Sequence, residues 1–444
     1  MKPKRIRSIP QEQSKATVGL DVFDPVVHEI ALDIFDVNSR YITLDAPPGS
    51  GKTASIVSLV RYLQKLSHEL PEFTVIVASP TRSQVIALGN RLCDSIKPEF
   101  IEMSMSAKTG DGSIELRDYI ASKKASPDSI PMAARNFRVV LTTISRMSLS
   151  YATEPECHVL IVDEAYQAKS GDLSRFWNVA LKAVFVGDPG QIGPVITAPA
   201  NIWQGTNRQD PTMRLQDAVK RNNNNVRNYH LTSTWRLGGL TTEIVNTLYD
   251  FSFSSKRPDR HVLLNDRQLA EIEMIDTFSP PEIDKSEIPI FIARHVASRC
   301  KDLLQSGEIV DGNTVRRVKA SDIAIVATVN SLVDTARLAL VEAQIDGAGI
   351  SVVTADSAQG KEWPIVIALD PLGVASLRPS DHHTATGRLA VMLSRHNNHL
   401  TWYGYHVDDL DIEDLTERGV NQLNISVRKE LSDKAPIVDE VFSW

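Results

Sequence analysis

Cysteine is scarce. The 444-residue chain has only Cys93, Cys157 and Cys300, widely separated and with no CxxC pair. That excludes a zinc-ribbon spacing and a disulfide framework, and it fits a reducing compartment. No run of about 18 apolar residues occurs, so no membrane span is expected. Excess positive charge is missing too. The net charge is −7, so the chain as a whole carries none of the polyanion signal of a basic protein, although a local basic groove stays compatible with that balance. Met1–Arg7 is basic, but no apolar segment follows it. Residues 1–19 therefore read as a solvated basic tail rather than a secretory leader, and a cytoplasmic location, or a nuclear one in a eukaryote, is expected. Fixed-period repeats are absent. Hydrophobic residues make up 42% of the chain, enough for a sizeable core, and the length suits two or three domains.

What is present is an alternation of apolar runs and amphipathic stretches. Val22–Phe35 has Val26, Val27, Ile30, Ala31 and Ile34 on one face and predicts a helix. Tyr41–Leu44, Phe73–Ala78, Arg138–Leu141, His158–Val162 and Ala183–Val186 predict strands, with helices such as Val85–Leu92 between them. Continuous Val/Ile/Leu strands separated by helices imply a parallel sheet covered on both faces. A polar stretch over about 97–136 interrupts the pattern and reads as a small insertion. The polar run Arg221–Asn225 has turn character and marks a boundary, so the first domain is expected over 20–222 and the second over 223–444. Strands are predicted again at Pro289–Ala293, Ile323–Ala327, Ile350–Val353, Ile365–Leu369 and around Leu400–Tyr403. Asp408–Glu417 is acidic and reads as a solvated surface.

The chemistry begins at Ala46-Pro47-Pro48-Gly49-Ser50-Gly51-Lys52-Thr53, between a predicted strand and a predicted helix. That context is the one a P-loop needs. Gly49 and Gly51 allow the backbone to curl so that its N–H groups face a triphosphate, and the helix N-terminus that begins near Ala54 adds partial positive charge. Lys52 would reach the β- and γ-phosphates, and the Thr53 hydroxyl would ligate Mg²⁺. Asp163 and Glu164 close a wholly apolar strand. Asp163 would hold the Mg²⁺ shell, and Glu164 would orient and deprotonate the attacking water. Gln191, one strand later in Gly187-Asp188-Pro189-Gly190-Gln191, suits a hydrogen bond to a γ-phosphate or its water.

In combination these segments become more specific. Ala46–Thr53, Asp163–Gln167 and Gly187–Gln191 resemble motifs I, II and III of superfamily 1 helicases. Thr234-Trp235-Arg236 resembles motif IV, Val353–Glu362 motif V and Arg388–Arg395 motif VI, all in the family's order. The 5′→3′ branch that includes the nonsense-mediated-decay helicases is the one the chain is most similar to. The resemblance implies an α/β fold of two tandem RecA-like P-loop domains, with ATP and Mg²⁺ in the cleft between them. Pro48, Gly49, Ser50, Gly51, Lys52, Thr53 and Ala54 would cradle the phosphates. Trp235 would stack on the base, and Gly360 and Glu362 would lie near the ribose. Arg236 and Arg395 would reach the γ-phosphate, where a guanidinium stabilises transition-state charge. Arg388 is either part of that set or a salt-bridge partner. The track implied is single-stranded DNA or RNA, met by Ser79, Pro80, Thr81, Arg82, Thr142, Thr143, Thr354 and Ser357, each Ser or Thr being alternatively a helix N-cap.

Some positions depart from the pattern. Ala46 replaces its first Gly, no Gln stands near His28-Glu29 to read adenine, Ala327–Leu332 lacks the usual Pro-Tyr and Gln, and Ser394 replaces Thr. The accessory regions are short, which suggests an accessory protein to support unwinding. Two other readings stay open: a nucleic-acid-stimulated ATPase that remodels without unwinding, and a small-molecule phosphotransferase.

Overall fold

The computed structural model describes residues 25–36, 38–66, 73–94, 96, 101–104, 138–147, 155, 157–172, 178–194, 210, 213–223, 225–277, 284, 286–345, 349–374, 385–406, 412–417 and 420–438. The chain divides into two compact units. The first holds residues 1–46, 51–189 and 193–231, and the second holds 47–50, 190–192 and 232–444.

The first unit is built on a seven-stranded sheet, ordered β3-β4-β2-β5-β6-β1-β7. In chain order the strands are β1 (Tyr41–Asp45), β2 (Val75–Ser79), β3 (Ile101–Ser104), β4 (Val139–Thr143), β5 (Cys157–Val162), β6 (Ala180–Gly187) and β7 (Val226–His230). Every pairing is parallel. Among the described residues the helices are α1 (Pro25–Phe35), α2 (Lys52–Leu66), α3 (Arg82–Cys93), the single turn α4 (Ile144–Met147) and α5 (Leu215–Asn222). Strand alternation sorts the side chains into two cores. Ile42, Leu44, Val77, Ile161 and Val184 pack with residues of α1, α2 and α3 on one face. Ile76, Val140, Leu160, Val162 and Phe185 pack with α4 and α5 on the other. Burial on both faces is why these strands read as unbroken apolar runs.

The second unit holds a five-stranded parallel sheet, ordered β12-β18-β17-β15-β16. Its elements are β8 (Ser233–Thr234), α6 (Gly239–Asn246), β9 (Ser254–Ser255), β10 (Arg260–Leu264), β11 (Arg267–Gln268), β12 (Ile272–Asp276), α7 (Ile288–Ser306), β13 (Gly307–Asp311), β14 (Thr314–Arg317), β15 (Ile323–Ala327), α8 (Asn330–Glu342), β16 (Ser351–Thr354), α9 (Ala355–Ala358), β17 (Trp363–Leu369), α10 (Pro371–Val374), α11 (Thr386–Ser394), β18 (His396–Gly404), α12 (Ile412–Glu417) and α13 (Gln422–Lys434). Two large cores form, one against α7 and α8 and one against α6, α11 and α13, beside a small cluster of Leu415, Val420 and Ile425.

Several expectations are corrected. Pro289–Ala293 is the start of the 19-residue helix α7, with Pro in its first turn and Ile292, Val296 and Cys300 on its buried face. A five-residue apolar run does not separate strand from buried helix, and Pro suits a helix's first turn. The polar stretch over 97–136 is not wholly an insertion, because β3 lies within it and extends the first sheet beside β4. The rest of that stretch, beyond 101–104, falls outside the described residues, as do the basic tail and 408–411 of the acidic segment. The boundary near Asn222 moves to Leu231, since β7 pairs with β1 along its whole length. An antiparallel sheet, β11-β10-β13-β14, was not foreseen.

Candidate nucleotide site

In the first unit β1, β5 and β6 run parallel, so their C-terminal ends open on one edge, where ligands bind in open α/β sheets. The chain leaves β1 through Ala46, whose N–H donates to the Gly187 carbonyl at 2.9 Å, and enters α2 at Lys52. Between them Gly49 and Gly51 have φ of +72° and +90°. An L side chain adopts that left-handed region only under strain, so both glycines are required by the loop's own path.

Lys52 Nζ lies 2.8 Å from each carboxylate oxygen of Glu164. Burial pushes this ammonium down, but the charges of Glu164, Asp188 and Asp163 outweigh it and hold the pKa above the ordinary lysine value. Glu164 has φ 52°, a rare conformation for a non-glycine residue, in the turn that follows β5. Asp163 is 7% exposed and accepts from Ser79 Oγ at 3.3 Å. Burial and the neighbouring Glu164 carboxylate raise its pKa, against the opposing pull of Lys52 and Ser79. Among the described residues no group of three metal-ligating side chains occurs. Mg²⁺ does not require one, because it keeps several waters and takes one or two protein oxygens besides substrate phosphates. The hard oxygens of Thr53 and Asp163 fit such an ion.

In the second unit Thr234 Oγ1 donates to the Pro48 carbonyl at 2.7 Å, and the Trp235 N–H donates to that of Gly49 at 2.9 Å. A Cβ at Gly49 would lie 2.3 Å from Arg236 Cβ. Trp235 is 57% exposed, so it is not a core residue, and the Lys256 ammonium lies 5.9 Å from its ring centroid. Arg236 forms an ion pair with Glu362 and donates to the Ser394 carbonyl at 3.4 Å. Arg395 is 2% exposed and donates to Ser394 Oγ at 2.9 Å. Gln191 accepts from Gln359 Nε2 at 3.3 Å. Gly360 has φ +78°. Arg388 grips Asp356 with two bonds of 2.8 and 3.0 Å, which realises the salt-bridge alternative.

The expected nucleic-acid residues divide. Ser79 and Thr142 are each 0% exposed. Neither hydroxyl is a surface contact, and Ser79 instead holds Asp163. Thr81 caps α3 in a reciprocal capping box with Gln84. Thr143 Oγ1 accepts from Arg146 N–H at 3.1 Å, and Thr354 caps α9 through Ser357 N–H at 3.3 Å. The N-cap alternative thus holds for these three threonines. Thr81 and Ser357 are exposed, and Pro80 and Arg82 are half-buried. Sequence reasoning passed over Asp188 as part of a turn, yet it is fully buried and among the charges that keep Lys52 protonated.

Residues 28–248, just under half of the chain, match the family described as AAA domain. No curated protein matches the sequence. Among solved structures the chain is similar to arterivirus nonstructural protein 10 (helicase), at 15% identity and a TM-score of 0.42, covering 85% of this chain and 61% of that one. The complex of that arterivirus helicase with DNA gives 14%, 0.45, 89% and 65% in the same order. The PRRSV helicase gives 12%, 0.42, 86% and 54%. The chain therefore spans between 54% and 65% of the length of these structures.

Proposed function

We propose that the protein is an Mg²⁺-dependent ATPase that moves along single-stranded DNA or RNA and unwinds duplexes 5′→3′, in the manner of superfamily 1 helicases with two RecA-like domains. The observation that carries the reading is Lys52 held at 2.8 Å by both oxygens of Glu164, beside the buried Asp163 and Asp188. That cluster supports the reading as a P-loop hydrolase, and the six motif-like segments supply the analogy to translocation.

The roles follow from the groups. Backbone N–H groups from Gly49 to Thr53 and the N-terminus of α2 take the phosphates. A Lys52 ammonium that turns to a phosphate releases Glu164, and the freed carboxylate accepts the proton of the attacking water. The occupation of Glu164 by Lys52 thus ties the base to substrate arrival. Thr53 and Asp163 would hold Mg²⁺, which neutralises phosphate charge when bound. Gln191 positions water, Arg236 and Arg395 stabilise the developing charge, Trp235 meets the base, and Gly360 and Glu362 meet the sugar. Arg82 and Ser357 provide sequence-independent backbone contacts.

The test combines hydrolysis with strand displacement on 5′-tailed duplexes, using DNA and RNA. Arg395→Ala is expected to keep nucleotide binding while lowering turnover by about 10³, the scale of an arginine finger. Hydrolysis indifferent to single strands refutes the helicase reading. Stimulated hydrolysis without displacement leaves a remodelling ATPase.

A further inference from the structure

Asp45, the last residue of β1, sits immediately before the phosphate loop and is 1% exposed. Its carboxylate accepts three side-chain hydrogen bonds. Oδ1 accepts from Tyr166 OH at 2.8 Å and from Gln216 Nε2 at 2.8 Å. Oδ2 accepts from Lys220 Nζ at 2.5 Å and faces His230 Nδ1 at 3.4 Å. These bonds take three of a carboxylate's roughly four lone-pair positions, which restricts its orientation. Tyr166 lies two residues after Glu164, in the short 3₁₀ turn that follows β5. Its ring occupies the space that a side chain at Gly187 would need, since a Cβ there would lie 2.8 Å from Tyr166 Cδ2. The Arg214 guanidinium covers the ring at 4.6 Å and donates to the Pro189 carbonyl at 2.7 Å. Backbone bonds from Ser170 N–H to Met213 O (2.7 Å) and from Leu215 N–H to Ala168 O (2.9 Å) fasten the start of α5 to the segment after the turn.

One buried cluster therefore joins the ends of β1, β5 and β6, which carry the phosphate loop, Asp163 with Glu164, and Asp188. We propose that Asp45, Tyr166 and Lys220 form a clamp that positions Glu164 for hydrolysis, none of the three touching the nucleotide. The proposal rests on the reading of this site as a triphosphate hydrolase. The clamp acts through geometry: the Tyr166 hydroxyl fixes the turn whose strained residue is Glu164, and α5 holds the clamp from outside through Lys220 and Gln216. A base displaced by about 1 Å loses up to about 10²-fold in rate, whereas phosphate binding depends on the loop N–H groups and Lys52, and the hydrogen bonds among Asp45, Tyr166, Gln216 and Lys220 involve neither.

The experiment measures ATP hydrolysis with and without single-stranded DNA and RNA in the full chain, for Tyr166→Phe, Asp45→Asn and Lys220→Met, alongside Lys52→Ala. Tyr166→Phe keeps the ring against Gly187 and deletes only the hydroxyl, so it remains informative if Asp45→Asn fails to fold. The expected result is kcat lowered about 10-fold, with KM and binding of a fluorescent ATP analogue within about twofold. Placed on Glu164→Gln, Tyr166→Phe should add no further loss, because it works through that carboxylate; a merely structural role would add its loss on either background. An unchanged kcat in Tyr166→Phe, or a full additional loss on Glu164→Gln, overturns the clamp while wild-type hydrolysis and its abolition in Lys52→Ala uphold the site. Absence of triphosphate hydrolysis in the wild type overturns both.

Discussion

His399 supplies a sharp physical test. It is fully buried in β18, with Nδ1 2.7 Å from the Ala270 carbonyl and Nε2 2.9 Å from Thr401 Oγ1. A carbonyl only accepts, so Nδ1 carries the proton, and Nε2 accepts from the threonine hydroxyl. The ring is neutral and fully bonded, and a second proton would displace the Thr401 bond. Burial, with the charges of Arg299 on α7, Arg267 on β11 and His396 on its own strand, lowers the pKa from 6.5 to about 3. Between those values the unfolded chain binds the extra proton and the folded one does not, so stability falls as pH falls. From pH 8 to pH 5 the loss works out to about 2 kcal/mol, steepening to about 1.4 kcal/mol per pH unit. Asp163 acts in the opposite sense, because a carboxyl raised to about 7 favours the folded state as pH falls toward its ordinary value. The comparison with His399→Asn removes that background. Chemical denaturation from pH 8 to 5 should show the wild type losing about 2 kcal/mol more than the variant. Parallel pH dependences, or a His399 resonance titrating near pH 6.5, would refute the argument.

Glu164→Gln should lower turnover by about 10² to 10⁴ while ATP still binds; single-turnover kinetics and equilibrium ATP binding check this. Gly49→Ala should weaken nucleotide binding at least about tenfold, because φ of +72° and the 2.3 Å approach to Arg236 Cβ both oppose a methyl group; titration with a fluorescent ATP analogue reads the loss. Glu271→Ala should destabilise the protein by about 3 kcal/mol in denaturant. The Glu271 side chain is 11% exposed, accepts from Leu240 N–H at 3.0 Å and Thr241 Oγ1 at 2.5 Å, and faces His396 and Arg257. Burial alone would raise its pKa, but His396, Arg257 and Thr241 bring it to about 2, so its contribution is present above pH 4.5 and fades as pH falls toward 2.

The sheets are legible because their strands are buried on both faces and their apolar runs have no competing pattern. Two failures show where that signal stops. β7 reads Val-Arg-Asn-Tyr-His and carries no apolar run, since it lies at the sheet edge with Arg227 and Asn228 exposed. Its place is set instead by register against β1 and by the 2.6 Å bond from Thr43 Oγ1 to Asn228. Pro289–Ala293 fails in the other direction. Its apolar density is that of a buried strand, and only the continuation of the i, i+4 pattern through Val296 and Cys300 identifies a helix.

The candidate site follows the same division between local and distant information. Gly49, Gly51, Lys52 and Thr53 are legible as a strand–loop–helix segment because the pattern lies in consecutive residues, with positive φ at both glycines. Asp163 and Glu164 are legible because an acidic pair ends an apolar strand. The threonines expected to meet nucleic acid are locally ambiguous, because a hydroxyl at a strand–helix junction bonds the nearest N–H first, as Thr81, Thr143 and Thr354 do. Asp45 lies beyond local reading altogether. Its Tyr166, Gln216 and Lys220 donors are 121, 171 and 175 residues away, so no window of sequence contains the pattern. Such long-range carboxylates are also where the cost of error is greatest, since a buried charge without its donors is strongly destabilising. An Asp at the end of an otherwise buried strand therefore already implies that distant donors exist. What folding adds is their identity: here, residues on the turn beside Glu164 and on the helix that backs it.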